Sequence, residues 1–92
     1  MSDFDDHSRP VLAGKFRLQW EAAQGCHVLL YPEGMVKLNR SAGEILSRCS
    51  GTLTVGEIVA DLEREFAARG LGRDVAQFLT LAKTQGWIEA PP

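Results

Sequence analysis

Phe16-Arg17-Leu18-Gln19-Trp20 alternates apolar and polar residues, the period-2 pattern of a half-buried strand. His27-Val28-Leu29-Leu30-Tyr31 predicts a second strand, and the linker Glu21 to Gly25 is short and ends in glycine, as a hairpin loop does. Tyr31-Pro32-Glu33-Gly34 supplies a tight turn, with Pro32 at the second position of a type I turn and Gly34 suited to a left-handed bulge after it. A third strand, Met35-Val36-Lys37-Leu38, follows. Three strands in succession predict an antiparallel meander whose edges are the first and third strands.

The period then becomes helical. Ser41-Ala42-Gly43-Glu44 has the S-x-x-E capping-box pattern, with Asn39 as a competing N-cap, and Ala42, Ile45, Leu46 and Cys49 recur at i, i+3, i+4, i+7 before Gly51. Thr54-Val55-Gly56-Glu57 opens a longer helix with the stripe Val55, Ile58, Val59, Leu62 and Phe66, a solvated charged face, and a stop at Gly70. A third helix is predicted from about Arg73 to Gln85, with the stripe Val75, Phe78, Leu79 and Ala82 and a stop at Gly86. Trp87-Ile88-Glu89 is a short apolar tail. Residues 1–14 are polar and acidic, then hold Pro10 and Gly14, and read as a flexible N-terminal arm. Residues 15–92 then form a single α+β domain. Its N-terminal three-stranded antiparallel sheet is followed by three helices, which is winged helix-turn-helix-like.

Leu, Ile, Val and Phe supply 24 of the 92 residues, enough for a modest core, so either a monomer or a homodimer is compatible with the size. No apolar run approaches a membrane span. The acidic start MSDFDDHSRP lacks the apolar stretch of a secretory signal, and Cys26 and Cys49 form neither a CxxC motif nor a disulfide framework. A reducing, cytoplasmic setting is expected. The net charge is −2, with Asp3, Asp5 and Asp6 in the first six residues, so the folded part is near neutral.

Little in the chain points to catalysis. Cys26 and His27 are adjacent in a strand and so face opposite ways, which suits no metal, and no metal or other cofactor is expected. No nucleophile elbow accompanies the histidines, and Gly70-Leu71-Gly72 continues into no phosphate-binding motif. The chain does not read as an enzyme. A winged-helix DNA-binding regulator is the alternative reading, but the third helix offers only Arg73 and Lys83 against Asp74, where DNA contact calls for a basic face. Nucleic acid is therefore not the expected partner. A binding module remains. The third strand is a predicted sheet edge guarded only by Lys37, and such an edge offers unpaired N–H and C=O groups to an incoming strand. Leu81 lies off the core stripe of the third helix, on a flank with Asp74, Gln77 and Phe78, where it can floor a groove beside that edge.

The segments Leu18-Gln19-Trp20-Glu21, Val28-Leu29-Leu30-Tyr31-Pro32-Glu33-Gly34, Leu38-Asn39, Ser41-Ala42-Gly43-Glu44-Ile45-Leu46 and Gly86-Trp87-Ile88 together resemble the PqqD family over roughly residues 9–88. The resemblance implies a peptide chaperone of pyrroloquinoline quinone biosynthesis. Such a protein binds the ribosomally made precursor peptide PqqA and associates with the radical SAM enzyme PqqE, which crosslinks a Glu and a Tyr side chain of that peptide. It further implies a leader peptide added as a strand beside the third strand and packed against the third helix. Carried onto this chain, the peptide-binding residues are Met35, Val36, Lys37 and Leu38 on one wall and Asp74, Val75, Gln77, Phe78 and Leu81 on the other. Two positions depart from the family pattern. Arg40 stands where a small, acidic or proline residue is expected, and Ala13 where proline is frequent, which predicts a freer arm.

Overall fold

A computed structural model of the chain describes residues 6–90. The element order is β1 (Val11–Leu12), β2 (Arg17–Glu21), β3 (Cys26–Tyr31), β4 (Gly34–Lys37), α1 (Arg40–Leu46), α2 (Val55–Glu65), α3 (Gly72–Thr84) and β5 (Ile88–Glu89). The fold is α+β, with a three-stranded antiparallel sheet, β2-β3-β4, followed by three helices, as the periodicity predicts. Two short elements that the periodicity does not show, β1 and β5, pair as a separate antiparallel ribbon.

The meander is held by two tight reversals. Gly25 has φ +65 and donates its N–H to the Glu21 carbonyl at 2.8 Å, closing the first turn in a conformation that costs a Cβ-bearing residue about 1–2 kcal/mol. The second turn leaves only Pro32 and Glu33 between the paired residues Tyr31 and Gly34. The registers put Leu18, Leu29 and Val36 in one row across the sheet, and Trp20 and His27 in the next. This face meets the helices. Leu29 joins Leu38, Ile45, Leu46, Ile58, Leu62, Val75 and Leu79 in one buried cluster, so sheet and helices share a single core. His27 lies directly on α1: a Cβ on Gly43 would come within 2.5 Å of its Nδ1, so only glycine permits the approach.

Asn39, not Ser41, caps α1. Its side-chain oxygen accepts the Ala42 N–H at 2.8 Å, while Ser41 is already inside the helix. Glu44, the other half of the expected box, accepts a hydrogen bond from Arg48 at 2.9 Å instead. Arg48 also donates from Nε to Asp61 at 2.6 Å, and Arg64 donates to the other Asp61 oxygen at 2.9 Å, so this network ties the end of α1 to α2. The capping box at Thr54 and Glu57 forms as expected, with both reciprocal bonds present.

The expected stop at Gly70 is not where α2 ends. The helix closes after Glu65 on a left-handed Ala67, φ +50, with the Ala68 N–H donating to the Glu63 carbonyl at 2.9 Å. That is the Schellman arrangement with alanine where glycine is usual. Glu63 then accepts the Leu71 N–H at 3.0 Å, and α3 begins without a side-chain cap of its own.

The terminal stretch also differs from the expected flexible arm. Residues 1–5 lie outside the described residues; residues 6–14 run as a strap across the α1–α2 connection. The Ser8 and Asp6 carbonyls accept the Val55 and Gly56 N–H groups at 2.8 and 3.1 Å, which satisfies donors that the first turn of a helix otherwise leaves unpaired. Pro10 is fully buried, and its carbonyl accepts the Gly51 N–H. Ala13 donates its N–H to the Trp87 carbonyl at 2.9 Å, a bond that proline could not make. At that position the departure from the family pattern therefore tightens the strap. The tail packs back through the β1–β5 ribbon and buries Ile88.

Two stability outcomes follow from these ends and pairs. Ala67→Gly relieves a left-handed Cβ and should stabilise the fold by about 1 kcal/mol in chemical denaturation, despite glycine's usual penalty near helices. Asp61 is held below the usual carboxylate range by hydrogen bonds from Arg48 and then Arg64, and Glu57 by the Thr54 backbone N–H. Both groups have lower pKa values folded than unfolded, so their contribution is present at neutral pH and lost as the pH falls below roughly 4. Thermal midpoints should drop across that window, and Asp61→Asn should flatten the drop.

Candidate functional site

β4 pairs with β3 only, and no strand of the described residues lies along its other side. Which backbone groups face that side follows from one bond. Leu38 donates its N–H to the His27 carbonyl at 3.1 Å, and Leu38 stands opposite His27 in the register Val28↔Lys37, Leu29↔Val36. Antiparallel pairs alternate between bonded and non-bonded. Val36 therefore turns its N–H and C=O inward with Leu38, and Met35 and Lys37 turn theirs outward. The open edge consists of those two residues.

The side chains of the predicted wall separate by the same alternation. Val36 and Leu38 face the helices; Val36 leans on the core, and Leu38 is buried at 6% exposure. Met35 and Lys37 lie on the opposite face, in the rows Arg17–Leu30–Met35 and Gln19–Val28–Lys37. Met35 is 51% exposed.

The α3 wall separates too. Asp74, Phe78 and Leu81 fall at i, i+4 and i+7 and make one row along the helix. Asp74 is exposed, Phe78 is half-buried against the core and Leu81 is 49% exposed. Gln77 is exposed beside them. Val75 is a core residue at 2% exposure, held with Leu79 and Ala82. Val36 of β4, Leu38 just after it, and Val75 and Phe78 of α3 thus belong to one core, which ties the open edge and the Asp74–Phe78–Leu81 row to the same packed body.

A cavity of about 360 Å³ was not visible in the sequence. It lies between the start of α1, the end of α2 and the start of α3, and reaches Asp74 and Val75. The Arg40 guanidinium covers the Phe66 ring at its border, 4.9 Å from the ring centroid. The signals were a phenylalanine ending the α2 stripe and an arginine at an unexpected place, but their meeting across 26 residues is a tertiary event. A second cleft, of about 390 Å³, is bordered by Trp20, Cys26, His27, Arg40 and Glu44. Trp20 meets His27 edge-on at 5.0 Å and stays 56% exposed.

No group of three or more His, Cys, Asp or Glu side chains among the described residues is placed to hold a metal ion. Burial pushes the Cys49 thiol up to about 12, so it stays protonated and unreactive at neutral pH. No helix of the described residues is long and apolar enough to cross a membrane.

Comparison with known proteins places the chain in a family. The family model for coenzyme PQQ synthesis protein D (PqqD) matches residues 26–88. The chain belongs to the PqqD family. A relative from Stutzerimonas stutzeri (strain A1501), named PqqA binding protein, is 50% identical over 90 residues, covering 97% of this chain and 98% of its own. One from Pseudomonas paraeruginosa (strain PA7), of the same name, is 55% identical over 83 residues, covering 89% and 90%. The solution NMR structure of the PqqD truncation of Methylobacterium extorquens PqqCD is described as a functional, stand-alone RiPP recognition element. It matches with a TM-score of 0.79 and 26% identity over 96% of both chains.

The burial pattern separates residues that carry the fold from residues available to a partner. Val75→Ala should cost about 2 kcal/mol in chemical denaturation, whereas Leu81→Ser should stay within about 0.5 kcal/mol of the parent.

Proposed function

We propose that this protein binds the PqqA precursor peptide by adding it as a strand to the outer edge of β4, against the Asp74–Phe78–Leu81 row of α3, and presents it to the radical SAM enzyme PqqE in pyrroloquinoline quinone biosynthesis. Its role is binding, not catalysis. The observation that carries the reading is the outward pair of backbone groups at Met35 and Lys37, on a strand that shares its core with α3, whose outer row carries the exposed apolar Leu81. The names of the relatives and of the structural neighbour support the choice of peptide.

The energetics assign separate roles to backbone and side chains. Two outward N–H and two outward C=O groups offer four hydrogen bonds, each worth about 0.5–1.5 kcal/mol net. Ordering the peptide costs about 2–5 kcal/mol, so the backbone bonds roughly offset that cost and set the register. Apolar peptide side chains on Phe78, Leu81 and the adjoining core surface then supply the net affinity, at roughly 25 cal/mol per Å². Val75 and Leu38 act from beneath, by fixing the wall. Lys37 guards the edge against its own kind, because a charge there disfavours pairing between two copies.

The edge is tested at a single position. Lys37→Pro removes an outward donor, while Lys37→Ala removes the side chain and leaves the donor. Leu38→Pro is unsuitable, since the Leu38 N–H is used inside the sheet. In calorimetric titration with PqqA of Stutzerimonas stutzeri (strain A1501), Lys37→Pro should weaken binding about tenfold more than Lys37→Ala, as a lost bond of ~1.4 kcal/mol requires. Equal affinities, with both variants folded, would count against strand addition. For presentation, PqqE should sediment with the peptide-loaded protein as a three-component complex; its failure to do so would restrict the role to peptide binding alone.

A further inference from the structure

The cavity between the three helices lies at one end of the open edge. β4 leads through Leu38 and Asn39 directly to Arg40 on the cavity border, and Asp74, first of the α3 row, stands on the same border. Ile45, Leu62 and Val75 form its buried floor, and Phe66 and Leu71 its walls. At about 30 Å³ per molecule, a space of about 360 Å³ would hold on the order of ten waters, yet floor and walls offer them almost no polar partners. Displacing such water with an apolar group is favourable.

Arg40 is unusual on three counts. It occupies the first turn of α1, where the helix dipole disfavours a cation, so it is not there for the helix. Its guanidinium lies over the Phe66 ring, which uses one face of the group and leaves its N–H edge available. The ion pairs of the described residues join Arg48, Arg64, Glu44 and Asp61, and none includes Arg40. A planar cation with open donors, fixed on an aromatic ring at the mouth of an apolar cavity, fits a carboxylate carried close to an apolar side chain.

We infer that this cavity is an anchoring subsite for the same PqqA segment. A large apolar side chain of the peptide enters between Phe66 and Leu71, and an acidic side chain close to it pairs with Arg40. Asp74 on the same border repels a second carboxylate, so the acidic residue sits on the Arg40 side. The inference rests on strand addition at β4, because the subsite continues that path beyond the strand.

The probe is synthetic PqqA of Stutzerimonas stutzeri (strain A1501), with each acidic residue in turn replaced by its amide. Arg40→Ala should weaken binding about fivefold and abolish the effect of one particular peptide replacement, while leaving the others additive. Arg40→Lys should recover only part of the loss, since an ammonium lacks the planar fork. Ala68→Trp narrows the cavity from its half-exposed border and should weaken binding about tenfold. Methyl NMR of the unmodified protein gives a readout independent of any variant's folding. The Ile45 and Leu62 methyl signals should move on adding peptide.

If those methyl signals stay in place, or if Arg40→Ala and Ala68→Trp bind like the parent while Lys37→Pro does not, the subsite is wrong and the edge stands. If instead Lys37→Pro binds like the parent and the cavity variants lose affinity, strand addition is wrong and the cavity remains a site in its own right.

Discussion

A three-stranded sheet cannot satisfy both of its borders, and in this protein the border at β4 is left open among the described residues. One internal bond, from the Leu38 N–H to the His27 carbonyl, sets which residues turn inward and therefore which are left to face outward. The two outward residues are Met35 and Lys37, and no strand of the described residues competes for them. The proposed strand addition requires an edge that is inviting to a peptide and unattractive to a second copy. Its brevity and its lysine meet the second demand, and the fixed geometry behind it meets the first.

That geometry is fixed from several sides. The single core joins the sheet to all three helices, so β4 and α3 cannot shift independently without opening packed contacts. Arg48 clamps α1 to α2 through Glu44 and Asp61. The strap from residue 6 to 14 supplies carbonyls to the first turn of α2 and closes on the tail through the β1–β5 ribbon. Neither the Arg48 clamp nor the strap includes a residue of the proposed peptide path. They hold the wall in place, which lowers the ordering cost to that of the peptide alone.

The residues of the candidate site consequently have unlike roles. Val75 and Leu38 shape the surface from inside, while Met35, Lys37 and Leu81 meet solvent on it. Phe66 and Arg40 add a feature at the end of the path, where a helix stops early on a left-handed alanine and its last aromatic ring meets the first residue of another helix. The PqqD family model spans residues 26–88, and the cavity lining from Arg40 to Val75 lies within that span.

Local periodicity was enough to predict the three long strands, the turn at Pro32 and Glu33, the three helices and their buried stripes, because each depends on residues within a few positions of one another. The edge position of Met35 to Leu38 was also legible, since a meander leaves its last strand outermost. Contacts across long stretches of chain decided the rest. The strap's bonds to α2, the pairing of Val11–Leu12 with Ile88–Glu89, Asn39 prevailing over Ser41, the stop at Ala67 and the Arg40–Phe66 stack all join groups whose local sequence is indifferent to the partner. A short chain encodes its elements in spacing, but which carbonyl meets an orphan donor, and which ring lies under a guanidinium, is settled only when the packed core brings them within reach.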